Sequence, residues 1–203
     1  MKKNFSEAAE RNKDPILNVL KEFINTKDRR LLEIGSGTGQ HALYMASQFP
    51  FLTWFPTDVG ENLQQLKKTI QEARIPNLEL PQRVDIGKDD FPKLKFDLVY
   101  TANTFHIMHW KECKTLMKLL GHRLREGSRV IIYGPFKYNG TYTSESNGVF
   151  DQSLKERDPL MGIRSFEDVN NAMLKNGFEL LADIDMPANN QTLVYQRLSF
   201  DGR

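Results

Sequence analysis

The run Leu31-Leu32-Glu33-Ile34-Gly35-Ser36-Gly37-Thr38-Gly39 constrains this chain more than any other feature. Apolar β-type residues lead straight into three glycines at alternate positions, and a helical pattern follows from about His41 to Phe49. Glycine lets the backbone turn sharply and lets a ligand lie against it with no side chain in the way. A tight turn by itself would need only one glycine. Three of them behind a buried strand and ahead of a helix predict a ligand-bearing strand–turn–helix unit.

The rest of the chain repeats that alternation. Asp14 and Pro15 read as the N-cap and first residue of a helix reaching about Asn25, with Ile16, Leu17, Leu20 and Phe23 on its apolar face. Phe51 to Phe55 reads as a second strand ending near Asp58, and Leu63, Leu66 and Ile70 mark the next helix. Leu78 to Val84 is expected as a third strand despite Pro81, and Phe96 to Thr101 as a fourth. A helix from Lys111 to Leu124 leads to a fifth strand, Val130 to Tyr133. Gly134 to Arg164 shows no clean period. Ser165 reads as an N-cap for a helix stopped by Gly177, and Phe178–Ile184 and Thr192–Leu198 complete seven strands. The expectation is an α/β fold with a mostly parallel sheet covered on both faces, a three-layer Rossmann-like arrangement in a single domain over residues 1–203.

Charge and cysteine content narrow the partners. Lys and Arg number 28 against 26 Asp and Glu, a formal net charge of +2, so no basic stripe or tail points to nucleic acid. Cys113 is the single cysteine, which excludes an intrachain disulfide and favours a reducing, cytoplasmic location. The opening MKKNFSEAAERNKDP has no apolar core of a signal peptide, and no later stretch is long enough to cross a bilayer.

A dinucleotide turn would read G-x-G-x-x-G, but counting from Gly35 and Gly37 that third position is Gln40. Glu33 with Gly35, Gly37 and Gly39 instead forms E-x-G-x-G-x-G, which resembles the cofactor turn of class I methyltransferases. That resemblance implies S-adenosylmethionine, with Glu33 near its amino-acid end and Gly35, Ser36, Gly37 and Gly39 against it. Asp58 ends the second strand where a carboxylate can accept from ribose hydroxyls. The competing reading of Asp58 is an exposed loop aspartate. Asp85, behind the third strand, is placed to face the adenine edge, and otherwise to cap a helix.

Ligands bind beyond the carboxyl ends of parallel strands, so Tyr100 to Trp110 should line a site. Asn103 can bond backbone, cofactor or substrate, and His106 can take a proton from a nucleophile at neutral pH. A scaffold role for His106 competes equally. His106, His109 and Glu112 share a three-residue spacing, but no fourth ligand accompanies them and no metal is expected. The D/N-P-P-Y/F/W motif of DNA adenine methyltransferases is absent after this strand.

Several further runs together resemble the methyltransferase-like protein 26 family across nearly the whole chain. They are Glu10-Arg11-Asn12-Lys13-Asp14-Pro15-Ile16-Leu17, the glycine run through Gln40-His41, and Trp54-Phe55-Pro56-Thr57-Asp58. Asn103 with His106 and Trp110, Tyr133-Gly134-Pro135-Phe136, Ser146-Asn147, Phe150-Asp151, Arg157-Asp158-Pro159 and Pro187-Ala188-Asn189-Asn190 extend the match. His109 departs from the family's pattern, which argues against a role for it. The resemblance implies a seven-stranded sheet with the last strand antiparallel, and an N-terminal segment around Arg11, Asn12 and Lys13 closing over the cofactor. It marks Tyr133, Phe136, Asn147 and Asp151 as candidate substrate contacts. Residues 134–164 start at the ligand-binding edge of the sheet, and so long a stretch without a period, carrying Tyr138, Tyr142, Phe150 and Leu154, predicts a substrate cap that selects a small molecule. The implied reaction is in-line methyl transfer to a small molecule. The alternative is a non-catalytic protein that binds the cofactor as a sensor or partner subunit.

Overall fold

The computed structural model describes residues 6–60 and 62–199. The chain divides into two compact units, Met1–Thr101 and Ala102–Arg203. Strands β1 (Arg30–Ile34), β2 (Thr53–Asp58), β3 (Gln82–Arg83), β4 (Leu98–Ala102) and β5 (Arg129–Gly134) belong to one seven-stranded sheet with β9 (Phe178–Met186) and β10 (Asn190–Arg197). The order is β3-β2-β1-β4-β5-β10-β9. β1 pairs parallel with β2 and β4, β2 pairs parallel with β3, and β10 runs antiparallel to both β5 and β9. The expected sheet, with its last strand reversed, is the one found.

In the first unit, α1 (Glu7–Phe23), α2 (Gln40–Gln48) and α3 (Asn62–Ala73) alternate with the strands. Ile16, Leu20, Leu31, Met45, Trp54 and Leu66 are its fully buried centre. The start of α1 corrects the sequence expectation. Ser6, not Asp14, is the N-cap, its hydroxyl accepting from the Ala9 N–H, and Pro15 lies inside the helix. The helix tolerates Pro15 because its C-terminal half is held by packing: Ile16, Leu17, Val19 and Leu20 are buried. The third strand is also shorter than expected. Proline cannot donate to a ladder, and pairing begins only after Pro81, leaving Leu78 with an isolated bridge to Trp54.

In the second unit, α4 (Trp110–Arg123) and α6 (Phe166–Lys175) follow the expected pattern, the latter capped by Ser165. Residues 134–164 depart from it. They fold as β6 (Phe136–Tyr138), β7 (Thr141–Tyr142) and α5 (Glu145–Arg157), and β6 pairs on its other side with β8 (Arg164–Ser165). The α5 helix escaped detection because its buried stripe is partly polar: Asn147, Asp151 and Leu154 recur at helical spacing. Among the described residues, no helix is long and apolar enough to cross a membrane.

Candidate active site

The glycine turn behind β1 takes the shape its sequence requires. Gly35, Gly37 and Gly39 all have positive φ, at 73°, 52° and 81°. These are left-handed conformations that other L-residues adopt only at a cost of about 1–2 kcal/mol. The two glycines flanking Thr38 differ in surroundings. A Cβ on Gly39 would lie 2.6 Å from Leu66 Cδ1, so this glycine serves packing against α3. A Cβ on Gly37 would meet nothing within 4 Å, so this glycine faces open space.

Asp58 secures that open face. Its Oδ2 accepts from the Gly37 N–H and its Oδ1 from the Val59 N–H at 2.7 Å. It is 9% exposed, which excludes the exposed-loop reading. A carboxylate has about four lone-pair sites, so two bonds leave room for more. Asp85, behind β3, is ion-paired to Arg83 and Lys88 at 3.4 and 3.2 Å, while its N–H donates to Asp89.

Glu33 is buried on β1. Its Oε2 accepts from Trp54 Nε1 at 2.7 Å. Burial pushes its carboxyl up to about 7; the Trp54 and Ser36 side chains favour its charge and Asp58 opposes it. Ser36 is itself buried beside this carboxyl. The turn therefore holds a buried carboxylate whose charge the Trp54 and Ser36 side chains favour, but not enough to offset its burial.

Residues of α1 reach the same neighbourhood. Gln40 Oε1 accepts from the Ser6 N–H at 2.6 Å and from Thr38 Oγ1 at 3.0 Å, linking the start of α1 to the glycine turn. Asn12 Oδ1 lies 2.7 Å from His41 Nε2, and Tyr100 Oη lies 3.2 Å from His41 Nδ1. Burial lowers His41 to about 4, so it is neutral and its Nε2 carries the proton that Asn12 accepts. His41 was not singled out as a site residue beforehand. The signal available was the polar Asn12 on an otherwise apolar helix face.

In the second unit, Asn103 sits at φ 58° and its N–H donates to the Tyr133 carbonyl at 2.9 Å. His106 is 5% exposed and packs edge-on against Phe150, ring centres 5.2 Å apart. Burial, and then the charges of Arg164 and Arg157, lower it to about 4. It stays neutral at pH 7 and is a weak base, suited to accepting a hydrogen bond. Arg164 fixes the loop that carries it, donating to the carbonyls of Phe105, Met108 and Leu160. His109 is not idle: its Nε2 lies 2.8 Å from Asp158 Oδ2, and its N–H donates to Glu112 Oε2 at the start of α4. Among the described residues, no group of three His, Cys, Asp or Glu is placed to hold a metal ion.

The remaining candidates are scaffold-bound to differing degrees. Tyr133 and Phe136 are buried in the second unit. Asp151 accepts from the Tyr142 hydroxyl at 2.7 Å, from Lys155 and from the Ile163 N–H. Asn147 donates to Thr143 Oγ1 and to the Asn189 carbonyl, both at 2.9 Å. That carbonyl belongs to an unusual turn: Ala188 and Asn189 both have left-handed φ, 59° and 58°. Non-glycine residues hold such angles when their surroundings enforce them, often near functional sites. Here Asn190 Nδ2 bonds the carbonyls of Pro187 and Ala188 from below. A groove of about 460 Å³ on the outer side of α5 is lined by Tyr142, Asp151, Lys155 and neighbours, and contains neither Asn103 nor His106.

A family described as a protein of unknown function, DUF938, matches residues 3–197. The chain belongs to the DUF938 family. Solved structures resemble this DUF938 chain throughout. They include the S-adenosylmethionine-dependent methyltransferase SibL in its apo form, at TM-score 0.77 and 21% identity over 94% of this chain and 56% of that one. An O-methyltransferase family protein from Burkholderia thailandensis matches at TM-score 0.81 and 15% identity, over 96% and 59%. Human N-acetylserotonin methyltransferase in complex with SAM matches at 0.78 and 16%, over 95% and 53%. The DUF938 chain thus has the class I methyltransferase fold and spans a little over half the length of these neighbours.

Proposed function

We propose that this DUF938 chain is an S-adenosylmethionine-dependent methyltransferase acting on a small molecule in the cytoplasm, related to the methyltransferase-like protein 26 family. The observation that carries the reading is the open face of Gly37 with Asp58 bonded behind it. A turn built only for packing would fill that space, as Gly39 does with Leu66. The residues fit the cofactor's chemistry. Glu33, Ser36 and the three glycines offer a carboxylate, a hydroxyl and bare backbone to an amino-acid moiety carrying an ammonium. Asp58 keeps lone pairs for the ribose hydroxyls, and Asp85 is the candidate for the adenine edge. One fold neighbour, human N-acetylserotonin methyltransferase, has a structure in complex with SAM and a name that gives a small-molecule acceptor, which supports this reading.

The bound cofactor supplies an electrophilic methyl group, activated by the positive sulfur. What the chain must add is placement of an acceptor, since an activated donor needs positioning more than acid–base help. His106, neutral and fixed by its loop, accepts a hydrogen bond from the acceptor, and Asn103 bonds it alongside. Residues 134–164 act as the cap that favours small substrates.

Calorimetry with S-adenosylhomocysteine and with NAD tests the reading. Binding of the former and not the latter is expected. Gly37→Val, which places a branched side chain in the open face, should weaken binding by about 100-fold or more, the scale set by displacing a ligand from its close-contact site. Tight NAD binding without S-adenosylhomocysteine binding would end this proposal.

A further inference from the structure

Gly134 ends β5, and its register partner on β10 is Gln191. Residues directly opposite in an antiparallel pair direct their side chains to the same face of the sheet. A side-chain carbon at position 134 would lie 3.8 Å from His106 Nδ1 and 3.9 Å from Asn103 Oδ1. The glycine therefore leaves about a methyl group of room beside two polar atoms of the loop behind β4.

Gln191 adds a third polar atom to that face. It is 8% exposed, and its Nε2 donates at 2.7 Å to Oδ1 of Asp185, its partner on β9. Its Oε1 is buried and accepts no hydrogen bond among the described residues. A buried amide oxygen left unpaired is destabilising, and native proteins keep few of them. The Asp185 bond fixes which end of the carboxamide is spent and which is free. The strained turn at Ala188 and Asn189, held by Asn147, sets the start of the strand that carries Gln191.

We propose that the face at Gly134, with Gln191 Oε1, Asn103 Oδ1 and His106 Nδ1 around it, seats the methyl-accepting group of the substrate. This rests on the methyltransferase reading above. With the His106 proton on Nε2, these are three acceptor atoms, and they select a ligand that brings donors: an alcohol or amine with at least two N–H or O–H groups. A carboxylate or an ether has nothing to give them. For a hydroxyl acceptor, an oxygen lone pair forms the new O–C bond as the S–C bond breaks, and that electron pair returns to sulfur. The oxonium proton then passes to His106 Nδ1 and on to water. A weak base suffices for so acidic a proton, which matches the buried, neutral His106.

Two measurements on the wild type, Gly134→Ala and Gln191→Leu test this. The first is conversion of S-adenosylmethionine to S-adenosylhomocysteine in a protein-free metabolite extract. The alanine fills the seat at ordinary contact distances, so the fold should persist while turnover falls about 100-fold. Gln191→Leu should raise the KM for the acceptor about tenfold and leave S-adenosylhomocysteine affinity within a few-fold of wild type. The second follows side-chain NMR signals of Asn103, His106 and Gln191 while propane-1,2-diol, or its donor-free dimethyl ether, is added to the protein without cofactor. The diol should shift them and the ether should not, and Gly134→Ala should abolish the diol response. Wild-type turnover in Gly134→Ala, or equal responses to diol and ether, overturns the assignment, as does no response to either. A wild type that turns over no cofactor yet answers the diol selectively removes the methyltransferase reading and leaves the donor seat in place.

Discussion

Glu33 and Asp151 are both carboxylates with almost no solvent contact, 2% and 1% exposed, yet they titrate in opposite directions. Glu33, in the glycine-turn region, has one close donor in Trp54 Nε1, and burial drives its carboxyl up to about 7. Asp151, on α5, feels burial too. There Lys155, the Tyr142 hydroxyl and the Ile163 N–H outweigh it and hold the carboxyl below its usual range. Burial without donors leaves a group ready for a ligand, whereas burial with a full set of donors makes it scaffold. The contrast separates the two regions: at Glu33 burial outweighs the donors around it, and at Asp151 the donors outweigh burial. Asp151, a substrate contact by resemblance, also ties residues 142–163 together through the three bonds it accepts.

The largest effect follows from the full donor set. Asp151→Ala removes the acceptor for three donors and strands the Ile163 N–H, which lies in the buried part of the unit. The expected loss is about 3–5 kcal/mol in urea unfolding, the scale of two hydrogen bonds to a charged acceptor, those from the Tyr142 hydroxyl and the Ile163 N–H. Lys155→Ala, at a half-exposed partner, should cost well under that. The pH dependence has a fixed sign. A carboxyl lowered in the folded state gives stability that is present above its ordinary pKa and lost as pH falls through the folded value. Acidification should therefore narrow the gap between wild type and Asp151→Ala. If the variant keeps wild-type stability while small-molecule turnover drops, Asp151 belongs to the substrate and the contrast with Glu33 fails.

The middle effect concerns Asp58, which stands between the two extremes. It has two backbone donors, one of them the Gly37 N–H, and still has acceptor capacity. Asp58→Ala should weaken S-adenosylhomocysteine binding by about 1.5–3 kcal/mol, the scale of a hydrogen bond to a charged group. It should also lower the apo unfolding free energy by about 1 kcal/mol, because it frees the Gly37 N–H. Unchanged affinity with lowered stability would make Asp58 a scaffold residue like Asp151.

The two regions also differ in how legible they were. The glycine turn was readable because backbone geometry dictates residue type there: left-handed φ at Gly35, Gly37 and Gly39 leaves few substitutes. α6 was readable from its cap and stop, Ser165 and Gly177. α5 was not, because periodicity searches count apolar residues and its inward stripe contains Asn147 and Asp151. α1 began early because Asp14-Pro15 imitates a helix start that Ser6 in fact provides. Gln191 was invisible for another reason. A glutamine in a strand carries no pattern, and its meaning comes from register with Gly134 and from the bond that occupies its other end.

The smallest effect is the proton on Glu33. A carboxyl raised to about 7 stays protonated in the folded apo protein between its unfolded value and neutrality. The folded state then binds more protons than the unfolded one, so this group subtracts stability as pH rises from about 4.5 to about 7 and subtracts no more beyond. A ligand ammonium reverses the preference, because it favours the ionised carboxylate. Binding must therefore release a proton below neutrality, and wild-type affinity for S-adenosylhomocysteine should fall about tenfold from pH 8 to pH 6, one pKa unit being worth 1.36 kcal/mol. Glu33→Gln keeps an acceptor for Trp54 Nε1 and removes the titration. Its affinity at pH 8 should be lower than that of wild type, its pH profile flat over this range, and its apo stability at pH 8 higher relative to wild type than at pH 5. Calorimetry in two buffers of different ionisation enthalpy reads the proton release directly. A wild-type profile as flat as that of Glu33→Gln would show that Glu33 is already charged without ligand, and the glycine turn would then be as fully satisfied as α5.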